Sequence, residues 1–146
     1  MQIGIINGPN LQHIGKRETH IYGSHSWDTY LEHLRTAYPQ CQLSYAQSHH
    51  EGVIIDELYR LDAEPDCIGI ILNAGAYTHS SIAILDAIRA IQTPVVEVHL
   101  SNIYAREAYR RHSLIAEACV GQITGLGLES YRLGIEALIS GQVSNK

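Results

Sequence analysis

The stretch Ile68-Gly-Ile-Ile-Leu-Asn73-Ala-Gly-Ala-Tyr-Thr-His79-Ser-Ser81 opens as an apolar run and closes in small and polar residues. A short apolar run bounded by turn residues reads as a parallel strand buried on both faces. Further along, Pro94-Val-Val-Glu97-Val-His99-Leu-Ser101-Asn102 repeats that pattern. In open α/β sheets, ligands bind outside the carboxyl ends of the strands. Two such strands side by side would bring Asn73, His79, Glu97, His99 and Ser101 to one crevice.

The rest of the chain builds outward from these two strands. Gln2–Ile6 reads as a first strand, running into the turn residues Asn7-Gly-Pro-Asn10. A helix is expected from an N-cap at Ser26 to about Ala37. Cys41–Ala46 reads as the second strand, and Gly52–Leu61 has helical spacing. The third strand is Cys67–Leu72, followed by a helical pattern over Ser80–Ile91. The fourth is Pro94–His99. Tyr104–His112 reads as a short helix or irregular chain. Val120–Thr124 is expected as a fifth strand and Leu126–Ile139 as a closing helix. Strands alternating with helices imply a parallel sheet covered on both faces. Right-handed crossovers then favour an α/β, flavodoxin-like, doubly wound five-stranded sheet in the order 2-1-3-4-5.

At 146 residues the chain is expected to form a single domain over 1–146, with a flexible tail over about 141–146. The connection over about 7–26 is far longer than the roughly two to six residues of a typical βα loop. With Arg17, Glu18, Tyr22 and the glycines Gly15 and Gly23, it reads as an active-site lid. The net charge of −5 argues against a nucleic-acid binder. It leaves room for a small anionic substrate held by a few arginines. No apolar run approaches a membrane span, and no basic leader precedes the first strand. Three widely spaced cysteines, Cys41, Cys67 and Cys119, suggest reduced thiols and a cytoplasmic setting. Cys67, at the start of an apolar run, reads as a small buried hydrophobe.

The polar residues carry the chemistry. A tyrosine with a solution pKa of about 10 is a poor base at neutral pH, and a nearby arginine lowers that pKa. Arg17 and Tyr22 can form such a pair; alternatively Tyr22 packs and Arg17 is solvated. Glu97 and His99 are two apart on a strand, so both side chains face one side of the sheet. A carboxylate there holds an imidazole in one tautomer and favours its protonated form, which suits a general acid. The alternative is a hydrogen-bonded structural histidine. Glu97, inside Val-Val-Glu-Val, needs a partner if it is buried. Asn73 can hold a water or a carbonyl oxygen, and His79 can bind a hydroxyl. Arg106, Arg110 and Arg111 form either a carboxylate clamp or a solvated basic face. His49, His50 and His112 make no metal-ligand pattern, so no metal is expected.

In register along nearly the whole chain, these segments resemble type II 3-dehydroquinate dehydratases. The resemblance rests on Asn7-Gly-Pro-Asn10-Leu11, Gly15-Lys-Arg17-Glu18 and Ile21-Tyr22-Gly23. It continues through Gln47-Ser-His-His-Glu51-Gly52, Asn73 to His79, and Glu97 to Asn102. It closes with Ala105-Arg106-Glu107, Arg110-Arg-His-Ser113 and Gly125-Leu-Gly127. It implies cofactor-free loss of water from 3-dehydroquinate through an enolate, giving 3-dehydroshikimate. Tyr22 would be the base, Arg17 its activator, His99 the acid and Glu97 its orienter. Asn73 would stabilise the enolate through a held water. His79, Leu100, Ser101 and Arg110 would bind substrate, Asp86 would act across a subunit interface, and Asn10 and Arg106 would support the lid or the site. A homododecamer, a tetramer of trimers, is the implied assembly.

Thr19 stands where proline is common, His49 where Asn is, Ala74 where Pro is, and Tyr104 where His is. None removes an expected catalytic group; a looser lid and weaker affinity are the expected consequence of Thr19. The competing reading is a flavodoxin-like binding or regulatory module without turnover. A flavin module would want a Ser/Thr/Gly-rich phosphate loop after the first strand, and Asn7-Gly-Pro-Asn10 is not one.

Overall fold

Five parallel strands form one sheet in the order β2-β1-β3-β4-β5, as expected. They are β1 Gln2–Asn7, β2 Gln42–Gln47, β3 Cys67–Asn73, β4 Val95–His99 and β5 Gly121–Thr124. The helices are α1 Trp27–Ala37, α2 Glu51–Asp62, α3 Ile82–Ala90 and α4 Glu129–Ile139. This computed structural model describes residues 1–14 and 26–143. Arg17, Glu18, Thr19 and Tyr22 of the expected lid, and the last residues of the expected tail, lie outside the described residues.

Side-chain alternation along the strands divides the core in two. Ile3, Ile5, Ile71, Val96 and Val98 pack with Trp27, Leu31 and Leu34 of α1 and with Tyr131, Ile135 and Leu138 of α4. Ile6, Ile70, Leu72 and Val95 pack with Ile54, Leu58 and Leu61 of α2 and with Ile84, Leu85 and Ile88 of α3. The same alternation separates the polar residues at the strand ends. Asn73 follows Ile71 toward the α1/α4 side, whereas Glu97 and His99 follow Val95 toward the α2/α3 side.

The helix starts show where local chemistry governs. Ser26 Oγ accepts the Thr29 amide at 3.3 Å, so the expected N-cap of α1 is in place. Ser81, not Ser80, caps α3, accepting the Ile84 amide at 2.9 Å. The expected closing helix from Leu126 starts later, at Glu129. Gly127 has φ +60°, a left-handed conformation that breaks the helical pattern just before it. Tyr104–His112 resolves into two 3-10 turns, Ile103–Ala105 and Ala108–Arg110.

The order reverses between β1 and β3, and the chain is tightest there. Gly8 donates its amide to Asn73 O at 2.7 Å. A Cβ on Gly8 would sit 2.4 Å from Ala74 O, a backbone atom that cannot move aside cheaply. The expected long loop after β1 is partly structured. It makes a 3-10 turn at Leu11–His13, and Ile14 is buried in the core. None of the three cysteines forms a disulfide among the described residues; Cys41 and Cys119 are buried and Cys67 only partly so. No helix among the described residues is long and apolar enough to cross a membrane.

Candidate active site

A cavity of about 240 Å³ opens at the carboxyl ends of the central strands. Its wall comes from three post-strand segments. Pro9, Asn10 and Leu11 follow β1; Asn73, Gly75, Ala76 and His79 end or follow β3; His99, Leu100 and Ser101 end or follow β4. Ile103, Arg106 and Arg110 complete it. This is where the strand order reverses, the position at which doubly wound sheets bind ligands. Of the residues singled out in the sequence, the cavity gathers Asn10, Asn73, His79, His99, Leu100, Ser101, Arg106 and Arg110. Glu97 lies behind His99. Asp86 does not line it. Arg17 and Tyr22 lie outside the described residues.

Glu97 is fully buried and His99 nearly so. The partner that a buried carboxylate requires is present: His99 Nε2 lies 2.5 Å from Glu97 Oε1. The Ser113 hydroxyl donates to the same oxygen at 2.8 Å, and Thr78 Oγ1 does so at 3.4 Å. Glu97 Oε2 has no hydrogen-bond partner among the described residues. With Nε2 committed to the carboxylate, Nδ1 is the ring nitrogen left to serve a ligand. The backbone beneath the ring is held too, since Ser130 Oγ donates to His99 O at 3.1 Å.

His79 is oriented by a carbonyl. Its Nδ1 donates to His112 O at 2.8 Å, because a carbonyl can only accept. Nε2 is therefore the acceptor in the neutral ring. The arginines sort themselves by their partners. Arg106 reaches Ser101 Oγ at 3.4 Å, whereas Arg111 spends its Nε–H on Arg106 O at 2.7 Å. Arg106 and Arg110 line the cavity and Arg111 does not, so two of the three arginines are placed to meet a ligand. Asn10 sits at φ 69°, and its amide donates to His49 Nδ1 at 3.3 Å. His49, where Asn is common, thus ties the start of the long loop to the β2–α2 turn.

Asn73 is 2% exposed, so only an edge of its amide reaches the cavity. Its Nδ2 donates to the Tyr131 hydroxyl at 2.9 Å, and that hydroxyl donates to Asn7 Oδ1 at 2.7 Å. Burial pushes the Tyr131 hydroxyl well above its ordinary pKa, against the opposing effect of its hydrogen bond with Asn73. It therefore stays protonated and able to donate. The sequence reading missed Tyr131, Thr78 and Ser113 as parts of the site. Tyr131 falls on the apolar face of a helix, where an aromatic residue reads as core. A paired carboxylate inside an apolar strand was the one signal that donors such as Thr78 and Ser113 had to exist.

An α/β sheet that gathers a buried carboxylate–imidazole pair, an amide and two arginines at its switch point has the make-up of a small-molecule enzyme. A family model described as Dehydroquinase class II matches residues 1–139. The chain belongs to that family. It is 52% identical over 140 residues to the 3-dehydroquinate dehydratase of Exiguobacterium sp., covering 95% of this chain and 94% of that protein. It is 47% identical over 135 residues to the 3-dehydroquinate dehydratase of Chlorobaculum tepidum, covering 92% and 91%. The crystal structure of the type II dehydroquinase from Butyrivibrio crossotus superimposes with a TM-score of 0.89 at 38% identity, covering 95% of this chain and 97% of that one.

Proposed function

We infer that this chain dehydrates 3-dehydroquinate to 3-dehydroshikimate, a hydro-lyase step shared by aromatic biosynthesis and quinate breakdown. The observation that carries the reading is the buried Glu97–His99 pair, set in one cavity wall with Asn73, His79, Arg106 and Arg110. The chemistry follows from the substrate. A proton next to its ketone is acidic because the resulting enolate is delocalised onto oxygen. Tyr22, activated by Arg17, removes that proton. Asn73 steadies the developing enolate oxygen through a held water, a hydrogen-bonding task that requires no metal. His99, held by Glu97, gives a proton to the departing C1 hydroxyl. His79, Leu100, Ser101 and Arg110 bind the substrate, and Asn10 and Arg106 support the closing loop.

The catalytic unit in this reading is one domain over 1–146, with residues 7–26 as its lid and about 141–146 as a tail. Its setting is cytoplasmic, in keeping with three cysteines that form no disulfide. The test is the product itself. Proton NMR of substrate with the protein should show the methylene beside the ketone replaced by a single vinyl proton. Dialysis against a chelator should leave the rate unchanged, and borohydride added with substrate should not inactivate the protein. Lys16 and Lys146 are the only lysines and neither is assigned a Schiff base. Loss of activity in either treatment would reject this mechanism.

The assembly belongs to the same reading: a dodecamer built as a tetramer of trimers, completing its sites at interfaces. Asp86 lies on α3 outside its own cavity, with its side chain 67% exposed, 3.9 Å from Arg89. Ile82, four residues earlier and on the same helix face, is 64% exposed. An exposed isoleucine beside an exposed aspartate suits a surface that a neighbour covers. Light scattering should give the mass of twelve chains. Asp86→Ala should raise KM although its own subunit's catalytic groups are intact. A fully active monomer would reject both statements.

A further inference from the structure

Tyr131 has a hydroxyl where packing alone asks for none. Its ring is fully buried on α4, with the Trp27 ring centroid 4.6 Å away. A phenylalanine would fill that space without carrying a polar group into the core. The hydroxyl meets two buried side chains of matching chemistry. Asn7 and Asn73 end β1 and β3, and they are paired neighbours in the sheet. Both are almost wholly inaccessible, yet only Asn73 lines the cavity. The hydroxyl takes the Asn73 Nδ2 proton and gives its own to Asn7 Oδ1. On its other side, Asn73 Oδ1 accepts the Gly75 amide at 3.3 Å. With both ends of the amide held, one Nδ2 hydrogen remains to be offered to a ligand, in a direction fixed by the core.

We propose that Tyr131 is a positioning residue for the reaction, holding the Asn73 amide in the one orientation that meets the water held against the developing enolate. The proposal rests on the reading of Asn73 given above. It places the control of that contact on α4, a helix that contributes nothing to the cavity wall. Without the hydroxyl, the amide can lean away while the strand beneath it stays in place. The lost contact is one made to charge that develops during the reaction, so kcat falls and substrate affinity changes little.

The test is a mutant cycle with Tyr131→Phe, Asn73→Ala and the double variant, measured beside the wild type. Tyr131→Phe should lower kcat about 10- to 100-fold, the range that a small misplacement of a reacting group costs. KM should stay within about twofold, following the same separation of kcat from binding. In the Asn73→Ala background, Tyr131→Phe should bring no further loss, because its effect passes through Asn73. Asn7→Ala, which removes the acceptor that aims the hydroxyl, should show the same dependence and carries the test if Tyr131→Phe does not fold. Wild-type kcat in a folded Tyr131→Phe or Asn7→Ala protein overturns the proposal. So do losses that multiply in the double variants. A wild-type protein without turnover overturns the functional reading and this proposal with it, a result distinct from an active wild type whose variants behave additively.

Discussion

His99→Ala should lower kcat by at least about 10²-fold, the lower end of what general acid–base catalysis contributes. The geometry explains why so much rests on one ring. His99 lines the cavity with Nε2 2.5 Å from Glu97 Oε1, so in the proposed reaction Nδ1 is the ring nitrogen that serves the departing hydroxyl. Alanine removes the proton donor. Ser113 and Thr78 still donate to Glu97 in the variant, so the carboxylate keeps two partners and the fold is expected to survive. The step order gives a sharper readout. If proton abstraction precedes loss of water, the variant should still exchange the substrate's acidic proton with deuterated solvent while making no product. Near-normal dehydration by a folded His99→Ala protein would remove His99 from the acid role.

Tyr22→Phe should cost at least as much, again about 10²-fold or more in kcat, with substrate binding preserved. Phenylalanine keeps the ring and removes only the ionisable hydroxyl. Tyr22 and Arg17 lie outside the described residues, and the assignment stands on their place in the family pattern. Among the described residues ahead of that segment, Pro9, Asn10 and Leu11 line the cavity. The two variants should differ in one respect. Tyr22→Phe should abolish solvent exchange of the acidic proton, whereas His99→Ala should retain it. A Tyr22→Phe protein that exchanges the proton at the wild-type rate would assign the base elsewhere.

Legibility in the sequence followed the physics of each element. β3 and β4 were plain because strands buried on both faces read as continuous apolar runs, and their ends marked the site. Glu97 was conspicuous because a carboxylate does not enter such a run without partners. Two of its three donors were less legible: Ser113 and Thr78 come from separate segments that only the fold brings together. Tyr131 was hidden for another reason. On an amphipathic helix an aromatic residue on the inward face looks the same whether or not its hydroxyl has work to do. The start of α4 was misplaced because the apolar pattern around Leu126 runs on through Gly127, whose left-handed backbone excludes it from the helix. The arginine trio could not be sorted either, since Arg106, Arg110 and Arg111 differ only in where their heads land. The inactive-module alternative is set aside by membership in the Dehydroquinase class II family over residues 1–139.

The most direct measurement is the ultraviolet absorbance of the purified, chelator-dialysed protein mixed with 3-dehydroquinate. Removing water between C1 and C2 conjugates the new double bond with the ketone, and that enone absorbs where the substrate does not. A steady, enzyme-dependent rise in absorbance, lost in His99→Ala and in Tyr22→Phe, is the predicted result. Absorbance that stays flat with folded wild-type protein, or that rises equally with both variants, would contradict it.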